Sequence, residues 1–386
     1  MHFLFINKSF VNCISNCYEM KKEELLYTLA LQRAKGIGDV NAKKLIKFCG
    51  SAKNVFKERK SSLLKIDGVG TFLVQAIFEA KNLSEAEEEL QKIEDNNIKC
   101  LSYFEEDFPR NLKNCADAPI LLFQDGNFNL TNRKIISIVG TRNMTNYGKD
   151  FCEKLISELV PYDPIIVSGF AYGVDICAHK SAIKNNLTTI GVFAHGFGHL
   201  YPKVHKKYMN DMYENGGFLS DFWFDDFPIR ESFLKRNRIV AGISQATVVI
   251  ESAEKGGALV TADIANSYSR DVFAVPGKIG DIYSKGCNAL IRDCKAGLIT
   301  SANDLVTMLG WKKTSQKKSI QPQLFVELTA EEEKVVAYLQ KNNRELLDVI
   351  SLHCEIPVYK MAGILFQLEM KGLIKPLPGK IFEILK

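Results

Sequence analysis

The sequence predicts an α/β protein built around a Rossmann-like, largely parallel and doubly wound sheet, with a helical domain before it and a winged-helix domain after it. Three patterns predict this architecture. Short apolar runs alternate with helical stretches in the middle of the chain, two Gly-x-Gly elements interrupt the helical stretches before them, and helices followed by a Gly- and Pro-turned hairpin end the chain. Strands that alternate with helices favour a parallel sheet covered on both faces.

Composition limits the function classes. The 386 residues, 46% of them hydrophobic, suffice for a full core and additional smaller domains. The net charge of +5 permits a polyanionic partner without requiring one, so the placement of the cations decides. No run of 18 apolar residues occurs, so we expect no membrane partner. The ten cysteines are scattered without a Cys-x-x-Cys pair, which fits a cytoplasmic protein with free thiols and predicts no metal site.

The first segment is predicted as an extension followed by a helical domain. Polar residues interrupt the apolar positions of residues 1–19, so we interpret them as an extension or tail before a start at Met20, and not as a signal peptide. Residues 20–97 are predicted to form a domain of the helix-hairpin-helix/SAM-like kind, because Gly36-Ile37-Gly38 and Gly68-Val69-Gly70 lie 32 positions apart between helical stretches. Such turns can aim backbone N–H groups at DNA phosphates; alternatively, they only pack the helices together.

The central domain is predicted over residues 98–310. Its strands are expected at Ile135–Val139, Ile165–Val167, Thr189–Phe193, Thr247–Ile250, Val272–Val275 and Leu298–Thr300. The helices between them are expected at Phe151–Val160, Ile176–Ile183, Leu259–Tyr268 and Asp304–Leu309. This alternation is the basis for the predicted parallel sheet.

A linker and a winged-helix domain are predicted to follow. Residues 311–325 have little apolar content and are interpreted as the linker. Residues 326–386 begin with a capping box at Thr329-Ala330-Glu331-Glu332 and continue through three helical stretches into a hairpin. The third helix, at about Val358–Lys371, carries only two basic residues, so DNA contact and protein contact by this domain both stay open.

Glycine-bearing turns at three strand ends mark the candidate site. The predicted strands end in Gly140-Thr141-Arg142, in Ser168-Gly169 and in His195-Gly196-Phe197-Gly198. Ligands of open parallel sheets bind beyond the carboxyl ends of the strands, where helix N-termini favour anions. Glycine lets a phosphate approach the backbone, and Arg142 can bind it through two hydrogen bonds. We therefore predict one extended anion-binding rim.

Cations and aromatic rings accompany this rim. Lys203 and Lys206 follow Tyr201-Pro202, and a second stretch is Phe233-Leu234-Lys235-Arg236-Asn237-Arg238. Phosphates need cations and unstacked bases need flat faces, worth roughly 1–3 kcal/mol each, so the combination favours single-stranded nucleic acid. The aromatic candidates are Phe170, Tyr172, Phe197, Tyr201 and Phe233. The alternatives are a solvated lysine loop, core positions for the phenylalanines, and ion pairs of the two arginines with Asp225, Asp226 or Glu231.

Signatures of catalysis are missing from the sequence. Gly148-Lys149-Asp150 lacks the upstream glycine and the hydroxyl of a phosphate-binding Walker loop, and neither Gly-x-Gly-x-x-Gly nor Gly-x-Ser-x-Gly occurs where a cofactor or a nucleophile needs it. Asp175 is interpreted as a helix cap. His179, His195, His199 and His205 are interpreted as hydrogen-bonding residues. We therefore predict a protein that is not an enzyme and has no cofactor.

The chain resembles the DprA/Smf family, the DNA-processing proteins of natural transformation. The resemblance covers roughly residues 100–310, and the flanking domains follow in the family's order. The matching strings are Val139-Gly140-Thr141-Arg142, Ser168-Gly169 to Gly173-Val174-Asp175, Ala178-His179, Tyr201-Pro202, Arg236-Asn237-Arg238-Ile239-Val240-Ala241-Gly242, Thr261-Ala262 and Val272-Phe273-Ala274-Val275-Pro276-Gly277.

The resemblance implies a Rossmann-like domain that binds single-stranded DNA in a basic pocket, forms a homodimer and hands the strand to the RecA recombinase during DNA uptake and recombination. It implies phosphate contacts by Arg142, Arg236 and Arg238. Together with the strand-end pattern it predicts these DNA-binding residues: Gly140, Thr141, Arg142, Ser168, Gly169, Lys203, Lys206, Phe233, Arg236, Asn237 and Arg238.

The chain also departs from the family pattern. Tyr172 stands where the family often has Arg, so one possible phosphate contact is missing. Stacking of a base on the tyrosine ring is a candidate replacement for that contact. Leu234 stands where Pro is usual, His205 where Asn is usual, and Gly256-Gly257-Ala258 replaces a more serine-rich turn. Two other functions stay open at this point. One is a nucleotide-binding or nucleotide-cleaving, phosphoribohydrolase-like enzyme, whose Pro-Gly-Gly-x-Gly-Thr-x-x-Glu string is absent; the other is a small-nucleotide sensor.

Overall fold

The computed structural model describes residues 8–314 and 328–384, except residues 372 and 378, and describes side chains from Lys21 onwards. The chain divides into two units, Met1–Thr314 and Ser315–Lys386. Of the predicted extension, residues 1–7 lie outside the described residues, and the backbone is helical from Lys8. Most of the predicted linker, from residue 315 onwards, also lies outside them.

Helices open the first unit, and two glycine turns hold them together. Gly36 and Gly68 have left-handed φ angles of 81° and 83°, which residues with a Cβ rarely adopt. A Cβ at Gly36 would lie 3.0 Å from the side chain of Leu73, and one at Gly68 would lie 3.5 Å from that of Lys44. Each turn therefore packs against the helix that follows the other turn. The helices are α1 (Lys8–Arg33), α2 (Asp39–Cys49), α3 (Ala52–Lys57), α4 (Lys60–Leu63), α5 (Thr71–Ile77) and α6 (Lys81–Asp95).

The described strands of this unit form one nine-stranded sheet in the order β1-β2-β6-β5-β4-β3-β7-β8-β9. The strands are β1 (Lys99–Ser102), β2 (Leu121–Gly126), β3 (Ile135–Val139), β4 (Ile165–Ser168), β5 (Thr189–Val192), β6 (Gly216–Ser220), β7 (Ala246–Val249), β8 (Asp271–Ala274) and β9 (Gly297–Leu298). From β6 to β9 all neighbours are parallel, and β1 and β2 pair antiparallel at the other end. The predicted doubly wound, largely parallel sheet is confirmed.

Helices cover both faces of this sheet. They are α7 (Arg110–Lys113), α8 (Asn146–Leu159), α9 (Val174–Lys184), α10 (Met209–Glu214), α11 (Arg230–Ile243), α12 (Gly257–Ser267), α13 (Lys285–Arg292) and α14 (Ala302–Met308). Every residue of β3, β4, β5 and β7 is buried, as their continuous apolar runs predict. The sequence analysis did not predict β1, β2 or β6; β6 begins with Gly216-Gly217, a pair that is unusual in strands.

The chain changes direction across the sheet at β3. The strands β4, β5 and β6 follow one another outward on one side of β3, whereas β7, β8 and β9 follow on its other side. The polypeptide returns between the two halves through α11. Such a reversal opens a crevice at the carboxyl ends of the central strands, because the connections on its two sides run in opposite directions.

The opening helices dock on the segment that follows β6. The Trp223 indole N–H donates to the Gln32 side chain at 2.9 Å, and the Arg33 guanidinium lies 5.0 Å from the centre of the Trp223 ring. The backbone N–H of Phe224 donates to the carboxylate of Glu89 at 2.7 Å. Glu89 is only 3% exposed, and this burial raises the pKa of its carboxyl to about 7.

The second unit is a winged helix, as predicted. Its elements are α15 (Ala330–Asn342), β10 (Arg344–Leu346), α16 (Leu347–Cys354), α17 (Val358–Met370), β11 (Ile374–Leu377) and β12 (Ile381–Ile384). The sheet order is β10-β12-β11. Thr329 and Glu332 form the predicted capping box at the start of α15. Ile350, Met361 and Leu365 lie in its core.

The third helix of this unit, α17, has engaged cations and an exposed apolar side. Lys360 pairs with Glu331 and Lys371 pairs with Glu332, both at 2.6 Å. The exposed side chains are Tyr359, Phe366 and Met370. In the described part of the chain no single helix has the length and apolar composition of a membrane span. The helices α16 and α17 reach both only as a pair bent by 105°.

We predict that Glu89→Gln removes a pH dependence of stability. The folded protein holds the Glu89 proton more tightly than the unfolded chain, whose ordinary pKa is 4.5. Its contribution to stability is therefore complete below pH 4.5 and is lost as the pH rises through about 7. Urea unfolding should show the variant gaining on the wild type by on the order of 3 kcal/mol between about pH 4.5 and pH 8. Exposed Glu88→Gln is the matched control, and an equal pH profile for both variants would contradict the assignment.

Candidate functional site

A cleft of about 760 Å³ opens at the carboxyl ends of β3, β4 and β7. It occupies the point where the chain changes direction across the sheet, which is where open α/β sheets bind ligands. Its walls are the turn after β3, the turn after β4, one side of α11, and the turn between β7 and α12. The polar and aromatic lining residues include Thr141, Arg142, Asn143, Asp175, Tyr201, Arg230, Phe233, Arg236, Asn237, Ser252, Thr261 and Tyr283.

A larger recess of about 1100 Å³ lies among α1, α6 and β1. Its cations are already neutralised, since Lys21, Lys22 and Lys99 each pair with a carboxylate of the same region. The cleft at the strand ends is therefore the better candidate for an anionic ligand.

The turn after β3 holds a cation at the mouth of the cleft, Arg142, which has no ion-pair partner in the described part of the chain. The backbone of this turn passes close to Val174 at the start of α9, which is possible because Gly140 has no Cβ; a Cβ there would overlap Val174. The N–H of Thr141 donates to the carbonyl of Glu251 at 2.7 Å, which fixes the turn to the end of β7. The exposed guanidinium of Arg142 lies 5.6 Å from the centre of the Phe233 ring. Two residues predicted from separate motifs thus form one cation–aromatic pair.

Arg236 provides a second cation, at the floor of the cleft. It is only 5% exposed, and one terminal nitrogen donates to the carbonyl of Val192 at 2.6 Å. Its Nε finds no partner among the described residues. The guanidinium reaches this position because Gly169 lacks a Cβ, which would overlap it. Burial lowers the pKa of Arg236 and the charge of Asp175 opposes this, so an anion entering the cleft would stabilise the charged form.

Asp175 balances this charge and was not predicted as part of the site. Its buried carboxylate accepts a hydrogen bond from the N–H of Ala171 at 3.3 Å, and burial raises its pKa. The sequence interpretation as a cap of its own helix is wrong, because Gly173 occupies the capping position of α9 without a side-chain bond. The charge of Asp175 thus offsets part of the cost of burying the Arg236 guanidinium at the floor of the cleft.

The helical period of α11 divides the predicted cluster between two environments. Phe233 and Asn237 line the cleft one turn apart, and Phe233 meets the Tyr201 ring edge-on at 5.5 Å. Arg238 lies two positions beyond Arg236, roughly 200° around the helix. It is buried, pairs with Asp221 at 2.5 Å and Asp39 at 3.1 Å, and does not line the cleft.

The phosphate contact predicted for Arg238 is therefore not supported by its geometry. Burial works against the charged form, but the two carboxylates raise the pKa of Arg238. Arg238 instead forms ion pairs, which was the alternative interpretation. Its partners are Asp221 and Asp39, whereas Asp225, Asp226 or Glu231 were expected from the sequence. Asp39 lies 199 positions away in the helical part, which no local pattern indicates.

Other predicted residues lie outside the cleft. Ser168 is buried, and its hydroxyl donates to the carbonyl of Ile138 at 2.6 Å. Lys203 and Lys206 are exposed on a short 3-10 helix, Lys203–Tyr208, beyond the lining residue Tyr201. They form no ion pair with the described residues.

The glycines at the end of β5 do not contribute to the rim as predicted. A Cβ at Gly196 or Gly198 would overlap or crowd the backbone of the segment at Trp223 and Phe224, so these glycines serve chain packing. The third turn of the cleft comes instead from β7. Of the aromatic candidates, Phe170 is fully buried in a core cluster, whereas Tyr172 and Tyr201 are exposed.

The histidines have structural partners. His195 lies between the carbonyl of Gly196 and the N–H of Tyr201, and His205 donates to the carbonyl of Phe170 at 3.0 Å. Burial lowers the pKa of both, and lowers that of His179 to about 3. They pack as neutral rings at physiological pH.

Comparisons with known proteins find matching family models and similar proteins. The family model for DNA recombination-mediator protein A matches residues 99–310, and that for the DprA winged helix domain matches residues 321–380. Protein Smf of Synechocystis is 33% identical, with 75% of this chain and 74% of that protein covered. DNA processing protein DprA of Bacillus subtilis is 39% identical, with 51% and 67% covered.

Two solved structures are similar. DNA processing protein A from Streptococcus pneumoniae matches with a TM-score of 0.62 and 29% identity, covering 76% of this chain and 98% of that one. DNA processing protein A from Helicobacter pylori, whose single-stranded-DNA-binding mode has been described structurally, matches with a TM-score of 0.51 and 29% identity. That match covers 56% of this chain and 97% of the Helicobacter chain.

We predict that Arg238→Met is strongly destabilising and Arg142→Met is not. Removing Arg238 leaves Asp221 fully buried and, among the described residues, with only Lys235 at 3.3 Å as a counter-charge, so the loss should be about 3 kcal/mol. Arg142 is exposed and forms no ion pair with any residue that the structure describes, so its loss should stay within about 0.5 kcal/mol. Urea unfolding of both variants measures the difference. Equal stabilities would show that Arg238 is not a structural ion-pair residue.

Proposed function

Because the chain belongs to the DprA/Smf family, we propose that it binds single-stranded DNA without sequence specificity in the cleft at the ends of β3, β4 and β7. One observation carries the proposal: Arg142 at the mouth and Arg236 at the floor place two cations in one cleft. The Phe233 ring lines the same cleft next to Arg142. Cations bind the phosphates that every nucleotide carries, and an aromatic face stacks on any base.

The cleft favours an unpaired strand over a duplex. Phe233 and Tyr201 meet edge to face, which leaves ring surface available to a base that has left its stack. Bases in a duplex already stack on their neighbours, and reaching such a ring would require unstacking them. Asn237, next to Arg236 in the lining, adds a hydrogen-bond donor and acceptor for a base or sugar edge.

The predicted residues take different parts in this proposal. Gly140, Thr141 and Gly169 shape the backbone around the two arginines, while Ser168 and Arg238 support the fold. Lys203 and Lys206 lie outside the cleft and are proposed to attract the strand where it leaves beside Tyr201. Such exposed lysines contribute mainly long-range attraction.

The wider biology of the family gives the rest of the proposal. We propose that the protein acts in the cytoplasm as a homodimer without a cofactor and without catalysing a reaction, and that it loads the RecA recombinase onto the bound strand during natural transformation and recombination. We also propose the domain division into residues 20–97, 98–310 and 326–386, with a linker at 311–325. The engaged lysines and exposed rings of α17 favour a protein partner for the winged helix.

Salt-titrated binding tests the proposed cleft. For single strands the logarithm of affinity should fall with the logarithm of salt concentration by about 0.7 for each neutralised phosphate. Arg142→Ala should weaken binding and reduce that slope by about 0.7, whereas Phe233→Ala should cost roughly 1–3 kcal/mol with the slope unchanged. Fluorescence anisotropy with a labelled oligothymidylate measures both quantities.

Controls separate this function from its alternatives. Arg292→Ala removes an exposed arginine outside the cleft and should leave affinity unchanged. A duplex of equal length should bind more weakly than the single strand. An Arg142→Ala variant with wild-type affinity and slope would refute the proposed cleft, and release of free base from nucleoside monophosphates would favour a nucleotide-cleaving enzyme instead.

A further inference from the structure

The start of α12 forms a wall of the cleft and carries no side-chain cap. Gly256 occupies the capping position without a side-chain hydrogen bond, and the first turn contains no acidic residue. Thr145 and Ser301 cap the starts of α8 and α14, whereas the starts of α9, α11 and α13 also lack a side-chain cap. An uncapped helix start leaves backbone N–H groups without partners and concentrates positive potential there.

The free donors of this turn can be assigned to individual residues. The N–H of Gly256 donates to Ala253 and that of Leu259 donates to Gly256. Those of Gly257 and Ala258 donate to no acceptor among the described residues. Both residues line the cleft, and no atom lies within 4 Å of the position that a Cβ of Gly257 would take. The free N–H of Gly257 therefore borders open space, and the buried Ala258 follows it in the wall of the cleft.

A second observation at the same cleft also indicates an anion. Arg236 lines it with only 5% of its surface exposed, and its Nε has no partner among the described residues. A buried guanidinium with an unused donor is unfavourable unless an acceptor completes its hydrogen bonds. Arg236, Gly257 and Ala258 all line this one cleft, and the helices that carry them, α11 and α12, pack against each other.

We infer that the start of α12 is a phosphate subsite, in which the N–H groups of Gly257 and Ala258 hold an internal phosphodiester of the strand beside Arg236. This inference rests on the proposed binding of single-stranded DNA. Backbone N–H groups suit a protein that binds any sequence, because they contact the phosphate alone. The turn residues Gly256, Gly257 and Ala258 carry no hydroxyl, which leaves backbone N–H groups as the donors there.

Substitution of Gly257 separates this role from a structural one. The site has room for a side chain, and the φ angle of Gly257 is not positive. An aspartate here would place a negative charge at the helix start, which favours the helix but repels a phosphate. We expect Gly257→Asp to keep or raise the thermal unfolding temperature, to weaken single-stranded-DNA binding about tenfold at low salt, and to reduce the salt slope by about 0.7. Gly257→Asn, of equal size and uncharged, should bind within about threefold of the wild type.

The outcomes distinguish this subsite from the cleft as a whole. If Gly257→Asp binds like the wild type while Arg142→Ala binds weakly, the subsite is refuted and the proposed function stands. If the wild type does not bind single strands at all, the proposed function fails first. Equal losses in the Asp and Asn variants would indicate a steric effect and would also refute the subsite.

The position of the phosphate in the strand is tested with two oligonucleotides, one with a 5′-phosphate and one with a 5′-hydroxyl. An Asp-specific loss with both supports an internal phosphodiester. A loss confined to the 5′-phosphorylated strand would overturn that assignment in favour of a terminal phosphate.

Discussion

The buried guanidinium of Arg236 is the constraint around which the cleft is organised. It can stay charged at the carboxyl ends of the central strands for three reasons: Gly169 leaves space for it, the carbonyl of Val192 accepts its hydrogen bond, and Asp175 supplies a nearby carboxylate. Each of these groups comes from a different element, so the position of the arginine depends on the strand order and on the packing of α11. The same position leaves the Nε of Arg236 without a hydrogen-bond partner among the described residues.

The two sides of α11 face different surroundings. One side presents Phe233, Arg236 and Asn237 to the cleft, and the other side carries Arg238, which joins the helix to Asp221 and Asp39. A buried ion pair of this kind adds little net stability over apolar packing, but it fixes orientation because any displacement leaves charges without partners. The orientation of α11, and with it the lining of the cleft, therefore depends on ion pairs that lie outside the cleft.

The sequence was informative where burial is continuous and less so where partners are distant. The apolar runs at Ile135–Val139 and Ile165–Val167 correspond to β3 and β4, because a strand covered on both faces has to be apolar throughout. The edge strand β1 and the glycine-led β6 lack that signal. The pairing of Arg238 with Asp39 depends on packing between distant parts of the chain, and sequence neighbours gave no indication of it.

Strand order also explains why the predicted rim differs from the observed cleft. Along the chain β3, β4 and β5 are successive, which suggested that their three turns act together. In the sheet β7 lies directly beside β3, so its turn meets the site while that of β5 packs against the segment near Trp223. The sequence does show a glycine pair, Gly256-Gly257, before the helix that follows β7. It does not show that this turn lies in the same cleft as Arg142, because that depends on the strand order.

The ion pair between Asp39 and Arg238 has a consequence for how this protein can be modified. It makes the opening helices part of the support for α11, although they lie in a separate stretch of sequence. If those helices were exchanged for the corresponding region of a relative, α11 would keep this support only if the new region placed an acidic side chain next to Arg238. This ion pair thus couples the opening helices to α11. Chimaeras that separate the two regions should keep an acidic residue at the position of Asp39.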